Sequence, residues 1–409
     1  MTATLPLLTS DAVWSIGAPR LLAGLDRTPR LGVAAHHATH GPLPAVGLDR
    51  LLVLLDGAGL TGRGGAGFPL AAKLRSLRGG RPVVIVNGSE SEPASRKDRT
   101  LMRHAPHLVL DGALTVADAI GARQVIVAAH DVQAADSVEH AVRERNLHRR
   151  VQVTLTDPAF VAGEARALLR ALAGGPALPP GQRAISTHEG LLVSNVETFA
   201  QTAVLVRAGG PGFARTGTRD EPGTALLTVG GALARPGVVE IPLGTPLGIV
   251  LQAAGAHATA FVVAGGYHGT WLRPYPDVPV SRAGLKAAGA TLGAGVLYAL
   301  DDSTCALGEL TRVAHWLADQ SARQCGPCRF GLPALAADLT MVYDGRPQAL
   351  PLAERHANHV VGRGACAHPD GASRFVKSGL AVLGEEIRAH QHGGCGRPIL
   401  GQLPLGASS

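Results

Sequence analysis

Aromatic and charged residues are both scarce in this chain of 409 residues, at 3% and 17%. Proteins that bind single-stranded nucleic acid use aromatic side chains as stacking platforms beside clustered cations. Here the arginines are scattered, so we expect no nucleic-acid partner. The formal net charge of +7 instead suits an acidic protein partner.

Long apolar runs and cysteines are also few. No stretch approaches the roughly 20 apolar residues that span a bilayer, and the N-terminus lacks a basic segment followed by an apolar one. We therefore expect a cytoplasmic protein with no transmembrane segment of its own. Five cysteines are too few for a disulfide scaffold, and two of them form the pair Cys325-x-x-Cys328. That spacing favours metal or redox chemistry.

Glycine and proline are abundant, with 53 and 28 residues, and 46% of the chain is apolar. This composition predicts a globular α/β protein, and the length allows two or three domains. Residues 1–45 show no periodicity and predict an irregular arm without chemistry. Apolar strands alternate with helical patterns over 46–218, which predicts a doubly wound α/β domain with its ligand at the strand ends.

The pattern changes twice in the remainder of the chain. Short β-branched segments separated by Gly and Pro turns, with one helix among them, predict a small β-rich domain over 219–300. Four helical segments around the cysteines predict a helical bundle over 301–395, and a tail follows at 396–409.

Four glycines lie between two helical patterns in the segment GRGGAGFP: Gly62, Gly64, Gly65 and Gly67. Without Cβ atoms, the N–H groups of such a loop can turn toward a phosphate, and the next helix adds its dipole. The spacing is neither a Walker A loop nor GxGxxG, so a simple glycine-rich connector stays an alternative. Arg63 and Lys73 either meet the phosphate charge or lie solvated at the surface.

A polar cluster follows the apolar strand PVVIV: Asn87, Ser89, Glu90 and Glu92. An α/β sheet presents its ligand crevice at such a strand end, and Asn offers a donor and an acceptor to a heteroaromatic ring. An ordinary turn is the alternative, because Asn and Ser also terminate strands.

These segments resemble the NADH-oxidising flavoprotein subunit of respiratory complex I and its relatives in soluble hydrogenases and formate dehydrogenases. The matching motifs are RGGAGFP, VNGSESEP followed by KDR, the pair Gly163-Glu164, and SNVET at 194–198, in order along about 51–390. The resemblance implies a Rossmann-like FMN-binding domain, a soluble-ligand-binding β-grasp domain and a four-helix iron–sulfur bundle. It also implies electron transfer from NADH or NADPH through FMN to an iron–sulfur cluster or a partner ferredoxin.

The resemblance also assigns roles to single residues. The FMN phosphate is expected on the glycine loop with Lys73 nearby, and Phe68 and Glu92 are expected to face the dinucleotide, with a core role as the alternative for Phe68. The flavin is expected to be lined by six residues: Asn87, Ser89, Glu90, Glu164, Asn195 and Thr198. Glu92 and Glu164 are the predicted catalytic residues, because they set the field and geometry around nucleotide and ring without abstracting a proton.

One departure from the family pattern affects the nucleotide. The family usually has Tyr and then Gly-Glu-Glu-Thr, whereas this chain has Phe160 and then Gly-Glu-Ala-Arg at 163–166. Loss of the second carboxylate removes a repulsion toward a 2′-phosphate, and Arg166 either attracts that phosphate or points to solvent. NADPH therefore joins NADH as a candidate. Ser76 replaces an aromatic residue, which predicts weaker stacking on the adenine, and a vestigial dinucleotide site is a third possibility.

A second departure concerns the 4Fe-4S cluster, which the family holds with four thiolates. Cys325, Cys328 and Cys366 match three of the ligands, but Ala322 stands at the position of the first. We predict an atypical cluster that is completed by another group: Cys395, a nearby His, Ser321, a partner's ligand or water. A three-iron form, the absence of a cluster and a zinc site are the alternatives.

Cys305 matches no ligand position and is expected to be a buried apolar thiol. The expected partners are an acidic ferredoxin-like iron–sulfur protein and a membrane redox subunit, which would place the chain at the inner face of a membrane complex. The rival hypothesis is a flavin-poor docking or assembly subunit of a ferredoxin-linked redox complex. A zinc-dependent nucleic-acid binder is the third.

Overall fold

The structure is a computed structural model that describes residues 12–157, 159–181 and 186–406. Its strands are β1 (Val13–Ser15), β2 (Val83–Gly88), β3 (Gln124–Ala129), β4 (Val151–Leu155), β5 (Leu191–Asn195), β6 (Thr224–Gly231), β7 (Gly237–Pro242), β8 (Thr245–Pro246), β9 (Phe261–Ala264), β10 (Thr270–Leu272), β11 (Pro279–Val280) and β12 (Val296–Leu300).

The helices are α1 (Val33–His40), α2 (Leu48–Gly57), α3 (Leu70–Ser76), α4 (Lys97–His104), α5 (Pro106–Ala119), α6 (Val132–Glu144), α7 (Ala165–Leu172), α8 (Val196–Phe213), α9 (Leu247–Ala253), α10 (Arg282–Ala287), α11 (Ala306–Asp319), α12 (Leu332–Tyr343), α13 (Ala349–Val360), α14 (His368–Val382) and α15 (Gly384–Gln391). Among the described residues, no helix is both long enough and apolar enough to span a bilayer.

The first layer is a parallel sheet of four strands in the order β4-β3-β2-β5. Its central strands are continuous apolar runs such as Val83–Val86, since helices cover both faces. The register of β2 and β5 places Asn87 opposite Asn195 at the carboxyl edge. The prediction of a mixed α/β protein with a parallel sheet is confirmed.

Helix α5 is apolar and buried along most of its length, and it packs against α8. The two backbones approach closely at Gly112, where a Cβ atom would lie 1.7 Å from the carbonyl oxygen of Phe199. Asp111 is buried beside this contact and binds His36, Arg145 and Arg207. These contacts attach α1, the C-cap of α6 and α8 to α5. Burial acts to raise the pKa of Asp111, but the hydrogen bond with His36 and the two arginines hold it well below its usual range.

The second sheet has six strands in the order β1-β7-β6-β12-β9-β10 and mixes parallel with antiparallel pairs. Its first strand and α1 both lie within 12–45, where we expected irregular structure. The three-residue strand β1 is held by backbone pairing to β7 and by buried Trp14. The carboxylate of Glu240 accepts hydrogen bonds from the N–H groups of 20–22. Neither the pairing of β1 nor the hydrogen bonds to Glu240 produce a periodic pattern in the sequence, so this part of the fold was not predicted.

The last layer consists of α11 to α15, which pack against the second sheet around buried Tyr267, Tyr298 and Trp316. The last of the four helical segments in the sequence, SRFVKSGLAVLGEEIRAH at 373–390, predicts one helix. The structure divides it into α14 and α15, and Leu383 caps both helices. Residues after α15 return along α11, where Leu403 is fully buried.

Candidate functional site

The glycine loop runs from Gly62 to Phe68, and the N–H of Gly62 closes it by donating to the carbonyl oxygen of Phe68 at 2.9 Å. Gly65 and Gly67 have φ values of +105° and +65°, a region that side chains with a Cβ rarely adopt. A Cβ on Gly67 would also lie 2.4 Å from Nη1 of Arg282. The shape of the loop therefore requires glycine at these positions.

Two of the predicted flavin residues lie directly against the loop. The N–H of Arg63 donates to Oγ1 of Thr198 at 2.9 Å. A Cβ on Gly64 would lie 3.2 Å from the Cβ of Asn195, whose side chain caps α8. The structure thus brings the loop and the SNVET motif together at the carboxyl edge of the parallel sheet.

Two cations lie beside the loop, Lys73 without an ion-pair partner among the described residues and Arg63 with only a long contact to a carboxylate. The ammonium of Lys73 donates to the carbonyl oxygen of Val193 at 2.8 Å, and among the described residues no carboxylate forms an ion pair with it. Arg63 is 5% exposed, its Nε lacks a hydrogen-bond partner, and its nearest carboxylate oxygen is on Glu197 at 3.8 Å. Burial lowers the pKa of both cations. A phosphate group would supply the missing negative charge, so these residues fit FMN.

A buried charge network lies behind Asn195 and was missed in the sequence. Lys97 Nζ lies 2.8 Å from Oδ1 of Asp98 and 3.0 Å from Oε2 of Glu197, and Asn195 donates to Asp98 at 2.6 Å. Burial lowers the pKa of Lys97, but the two carboxylates outweigh that effect and raise it. These residues belong to the motifs KDR and SNVET, so the resemblance of those motifs to the family was the only feature of the sequence that could have indicated the network.

The end of β2 meets the segment before α7. Nδ2 of Asn87 donates to the carbonyl oxygen of Gly163 at 3.1 Å, and Oδ1 accepts from the N–H of Ser89 at 3.1 Å. The hydroxyls of Ser89 and Thr156 lie 2.6 Å apart. Asn87, Ser89 and Gly163 are therefore neighbours, as expected of one ligand crevice.

Glu90 is occupied by partners within the protein. Its carboxylate accepts from the hydroxyl of Ser95 at 2.6 Å and from the N–H groups of Asp98 and Arg99, each at 3.0 Å. Both oxygens therefore hold the start of α4. Its role toward the flavin stays a prediction.

Glu92 is buried below the turn that follows β9. Its carboxylate accepts from the N–H of Tyr267 at 2.8 Å, and a Cβ on Gly266 would lie 2.5 Å from Oε2. Burial raises the pKa of Glu92 to about 7. This carboxyl group therefore changes charge near neutral pH.

The two predicted aromatic positions differ in their surroundings. Phe68 is 52% exposed, so its ring is accessible to a ligand. Phe160 is 8% exposed and makes edge contacts with His268, Trp316 and His368 at centroid distances of 4.8, 5.1 and 5.6 Å. The contacts of Phe160 are those of a core residue.

Glu164 caps α7 by accepting from the N–H groups of Arg166 and Ala167 at 3.1 and 3.0 Å. Its other oxygen pairs with Nε of Arg166 at 3.1 Å. Nη1 of Arg166 is buried without a hydrogen-bond partner in the described structure. Arg166 is therefore already neutralised by its neighbour but keeps one free donor.

Three thiols form the second part of the site, here named the three-thiol group: Cys325, Cys328 and Cys366. Burial and then its two thiol neighbours raise the pKa of Cys328 to about 12, and the hydroxyl of Ser321 also contacts it. The pKa of Cys366 is raised by burial and responds to the charges of Glu164 and Arg166. Cys366 is therefore within electrostatic range of the Glu164–Arg166 pair.

These donors fit an iron–sulfur cluster in part. They supply three of the four thiolates, and the nearby hydroxyl of Ser321 is a non-thiolate donor. Cys395 is placed in a different group, with Cys305, Glu386 and His390, so the structure gives no support to Cys395 as the fourth cluster ligand.

Comparisons with known proteins agree with this geometry. Residues 55–204 match the family model of the Nuo51 FMN-binding domain, and residues 303–390 match that of the NADH-ubiquinone oxidoreductase-F iron-sulfur binding region. The F subunit of NADH-quinone oxidoreductase in Streptomyces coelicolor is 31% identical over 382 residues, which cover 86% of this chain and 85% of the relative. The F subunit of the Mycobacterium tuberculosis enzyme is 30% identical over 380 residues, covering 85% of each chain.

Among solved structures, a chain of an NAD+-reducing NiFe-hydrogenase in the air-oxidized state has a TM-score of 0.82 and 28% identity. The match covers 93% of this chain and 68% of the other. With two family models in the order that the sequence motifs predict, the chain belongs to the family of the F subunit of NADH-quinone oxidoreductase.

Proposed function

We propose that this chain oxidises NADH with FMN and passes the electrons to an iron–sulfur centre within a larger redox complex. The observation that carries the proposal is that the charges of Glu164 and Arg166 act on the Cys366 thiol, while Glu164 directly follows Gly163, whose carbonyl oxygen accepts a hydrogen bond from Asn87. The thiols are therefore within electrostatic range of the flavin crevice. FMN, when bound, supplies the hydride-accepting ring and releases electrons singly.

The protein's own residues bind and orient. Arg63 and Lys73 neutralise the phosphate, while glycine N–H groups of the loop bind its oxygens. Asn195 and Thr198 fix the loop to α8, and the Lys97 network fixes Asn195 in turn. These contacts hold the crevice in one shape before the ligand binds.

The nucleotide that this geometry favours is NADH. Glu164 lies 3.1 Å from the guanidinium of Arg166, so a 2′-phosphate would have to compete with a carboxylate that is already in place. Anaerobic stopped-flow reduction with each nucleotide tests this choice. A higher second-order rate with NADPH would reverse it.

The electron acceptor is an acidic, ferredoxin-like protein that binds next to Cys328. A cavity of about 620 Å³ borders this thiol and is lined in part by His315, Arg323 and Arg329. Phe330 beside it is 69% exposed, which gives the surface an apolar contact. The two arginines outnumber the single acid of the lining, Asp319, and with the net charge of +7 they suit a negatively charged partner. This chain would meet such a partner as a peripheral component of a membrane complex or of a hydrogenase-like assembly.

We assign the three layers of the fold to the three domains that the family resemblance implies. The parallel sheet with its helices is the Rossmann-like FMN domain, the six-stranded mixed sheet with α9 and α10 is the β-grasp-like domain, and α11 to α15 form the iron–sulfur bundle. The 28% identical hydrogenase chain supports this arrangement through its coverage of 93% of the sequence.

The test is the visible spectrum of anaerobically purified protein, before and after NADH. Flavin absorbance that bleaches with NADH supports the proposal, and iron analysis with EPR after dithionite examines the three-thiol group. If the protein shows no flavin absorbance and takes up no FMN, the proposed enzymatic function is refuted. The rival hypothesis of a docking or assembly subunit would then remain.

A further inference from the structure

We infer that a second metal site, suited to Zn²⁺, lies outside the flavin crevice and the three-thiol group, and that its ligands are Cys305, Glu386, His390 and Cys395. One ligand atom from each of these residues lies within 4.8 Å of the other three. Zinc bonds of about 2.0–2.3 Å in a tetrahedron require ligand atoms about 3.3–3.8 Å apart, so only small movements are needed. We name this group the C-terminal site.

The ligands come from three elements that converge. Cys305 is the N-cap of α11 and is fully buried. Glu386 and His390 lie four residues apart on α15, so their side chains share one face of the helix. Cys395 follows in the tail and is half-buried. This spread is typical of a structural zinc site that joins separate segments.

The imidazole is already oriented for metal binding. Nδ1 of His390 lies 2.6 Å from the carbonyl oxygen of Tyr343, a contact that requires the proton on Nδ1. In the tautomer that this contact selects, Nε2 is the nitrogen with the free lone pair, and it lies 3.3 Å from Sγ of Cys305. Gly308 donates its N–H to the same sulfur at 3.3 Å, as backbone groups do around zinc-bound thiolates.

Glu386 gives an independent indication of a missing ligand. Its side chain is 4% exposed, and one oxygen binds Arg397. The other oxygen, Oε2, is buried with no hydrogen-bond partner among the described residues. An unpartnered carboxylate oxygen in the interior is costly, and a cation would remove that cost.

Charge balance also favours a divalent ion. Two thiolates and one carboxylate carry three negative charges, and Zn²⁺ with the guanidinium of Arg397 compensates three. Arg397 contacts both Glu386 and Cys395, so it is placed to complete this balance. Two sulfurs, one imidazole and one carboxylate form a mixed donor set that a borderline-soft tetrahedral ion accepts. Such closely spaced atoms surround one ion rather than a four-iron cluster.

The site would fasten the chain's last segment to the bundle. The N–H of Cys305 donates to the carbonyl oxygen of Pro398 at 2.8 Å, and that of Leu400 donates to Thr304 at 3.1 Å. Metal binding at Cys395 would hold the start of this segment in the same place. This role is structural and independent of the proposed redox activity.

The experiment measures zinc and iron per chain in full-length protein purified without chelators. We expect about one zinc per chain in the unmodified protein and in Cys366→Ser. In Cys395→Ser the zinc content per chain should fall at least tenfold. His392→Ala is the matched control, because His392 lies in the same segment but outside the four ligands, and its ring nitrogen Nδ1 contacts the carbonyl oxygen of Arg388. It should keep the zinc.

A second measurement guards against a variant that merely misfolds. Co²⁺ added to metal-stripped protein should give the intense visible bands of tetrahedral thiolate coordination, and Glu386→Gln should weaken them. Zinc content unchanged in Cys395→Ser, failure of the protein to hold added Zn²⁺ or Co²⁺, a mononuclear iron in the site, or a disulfide between Cys305 and Cys395 would each overturn the inference.

Discussion

Gly112→Ala is the substitution whose outcome the fold determines most sharply. In a helix interior this change normally stabilises by about 1 kcal/mol, because alanine restricts the unfolded chain. Here the new Cβ would lie 1.7 Å from the carbonyl oxygen of Phe199, and ordinary contact begins at 3.4 Å. The difference, 3.4 minus 1.7, means that α5 and α8 must separate by about 1.7 Å.

Backbone atoms cannot rotate away from the added methyl group, so the cost lies at or above the upper end of the roughly 1–3 kcal/mol that overpacking usually incurs. After the helix-propensity gain is subtracted, we expect a net loss of about 2 kcal/mol or more. Because Thr198 of α8 and Asn195, the N-cap of α8, both lie against the glycine loop, FMN affinity should fall as well.

Urea denaturation and an FMN fluorescence titration measure the two effects. Gly57→Ala in α2 is the control, since its Cβ meets nothing within 4 Å, and it should be neutral or slightly stabilising. Equal or greater stability of Gly112→Ala would refute the packing argument.

Three further predictions concern the site. Lys73→Met should weaken FMN binding about 10- to 100-fold in fluorescence titration, as expected for a lost charge-assisted hydrogen bond, while exposed Lys286→Met should not. Glu92 has a folded pKa of about 7 against an ordinary value of 4.5, so the stability it contributes is present below pH 4.5 and lost as pH rises through 7. Glu92→Gln should therefore remove a decline on the order of 3 kcal/mol between pH 4.5 and 8, and identical pH profiles would contradict the assignment. Ala322→Cys should restore a fourth thiolate, raising iron toward four per chain and changing the EPR signal; unchanged iron and spectra would place Ala322 away from the cluster.

The parallel sheet could be predicted because buried strands such as Val83–Val86 and amphipathic helices have strong periodic signals. The loop glycines and Asn195, which are distant in sequence, could be grouped only through motif resemblance. Strand β1 could not be predicted, since three residues paired to β7 carry no period. The contacts of Phe160 with His268, Trp316 and His368 depend on tertiary packing, which no local pattern encodes.

The surroundings of Cys305 also could not be predicted from the sequence. Its burial was expected from its type, and it is fully buried. Its neighbours Glu386, His390 and Cys395 are about 80 to 90 positions away along the chain, so sequence spacing did not join them. Spacing rules recognise ligands that are close in sequence, whereas this group is assembled by the return of the final segment.

The buried acid of α11 has a consequence for the order of folding. The carboxylate of Glu309 accepts hydrogen bonds from the N–H groups of Gly401, Gln402 and Leu403, more than 90 residues later. During synthesis on a ribosome, α11 therefore emerges long before these partners exist. Until residues 401–403 are available, Glu309 has Arg312 as an ion-pair partner at 2.6 Å but lacks these three backbone donors, so the bundle cannot close fully around this acid before that segment is present.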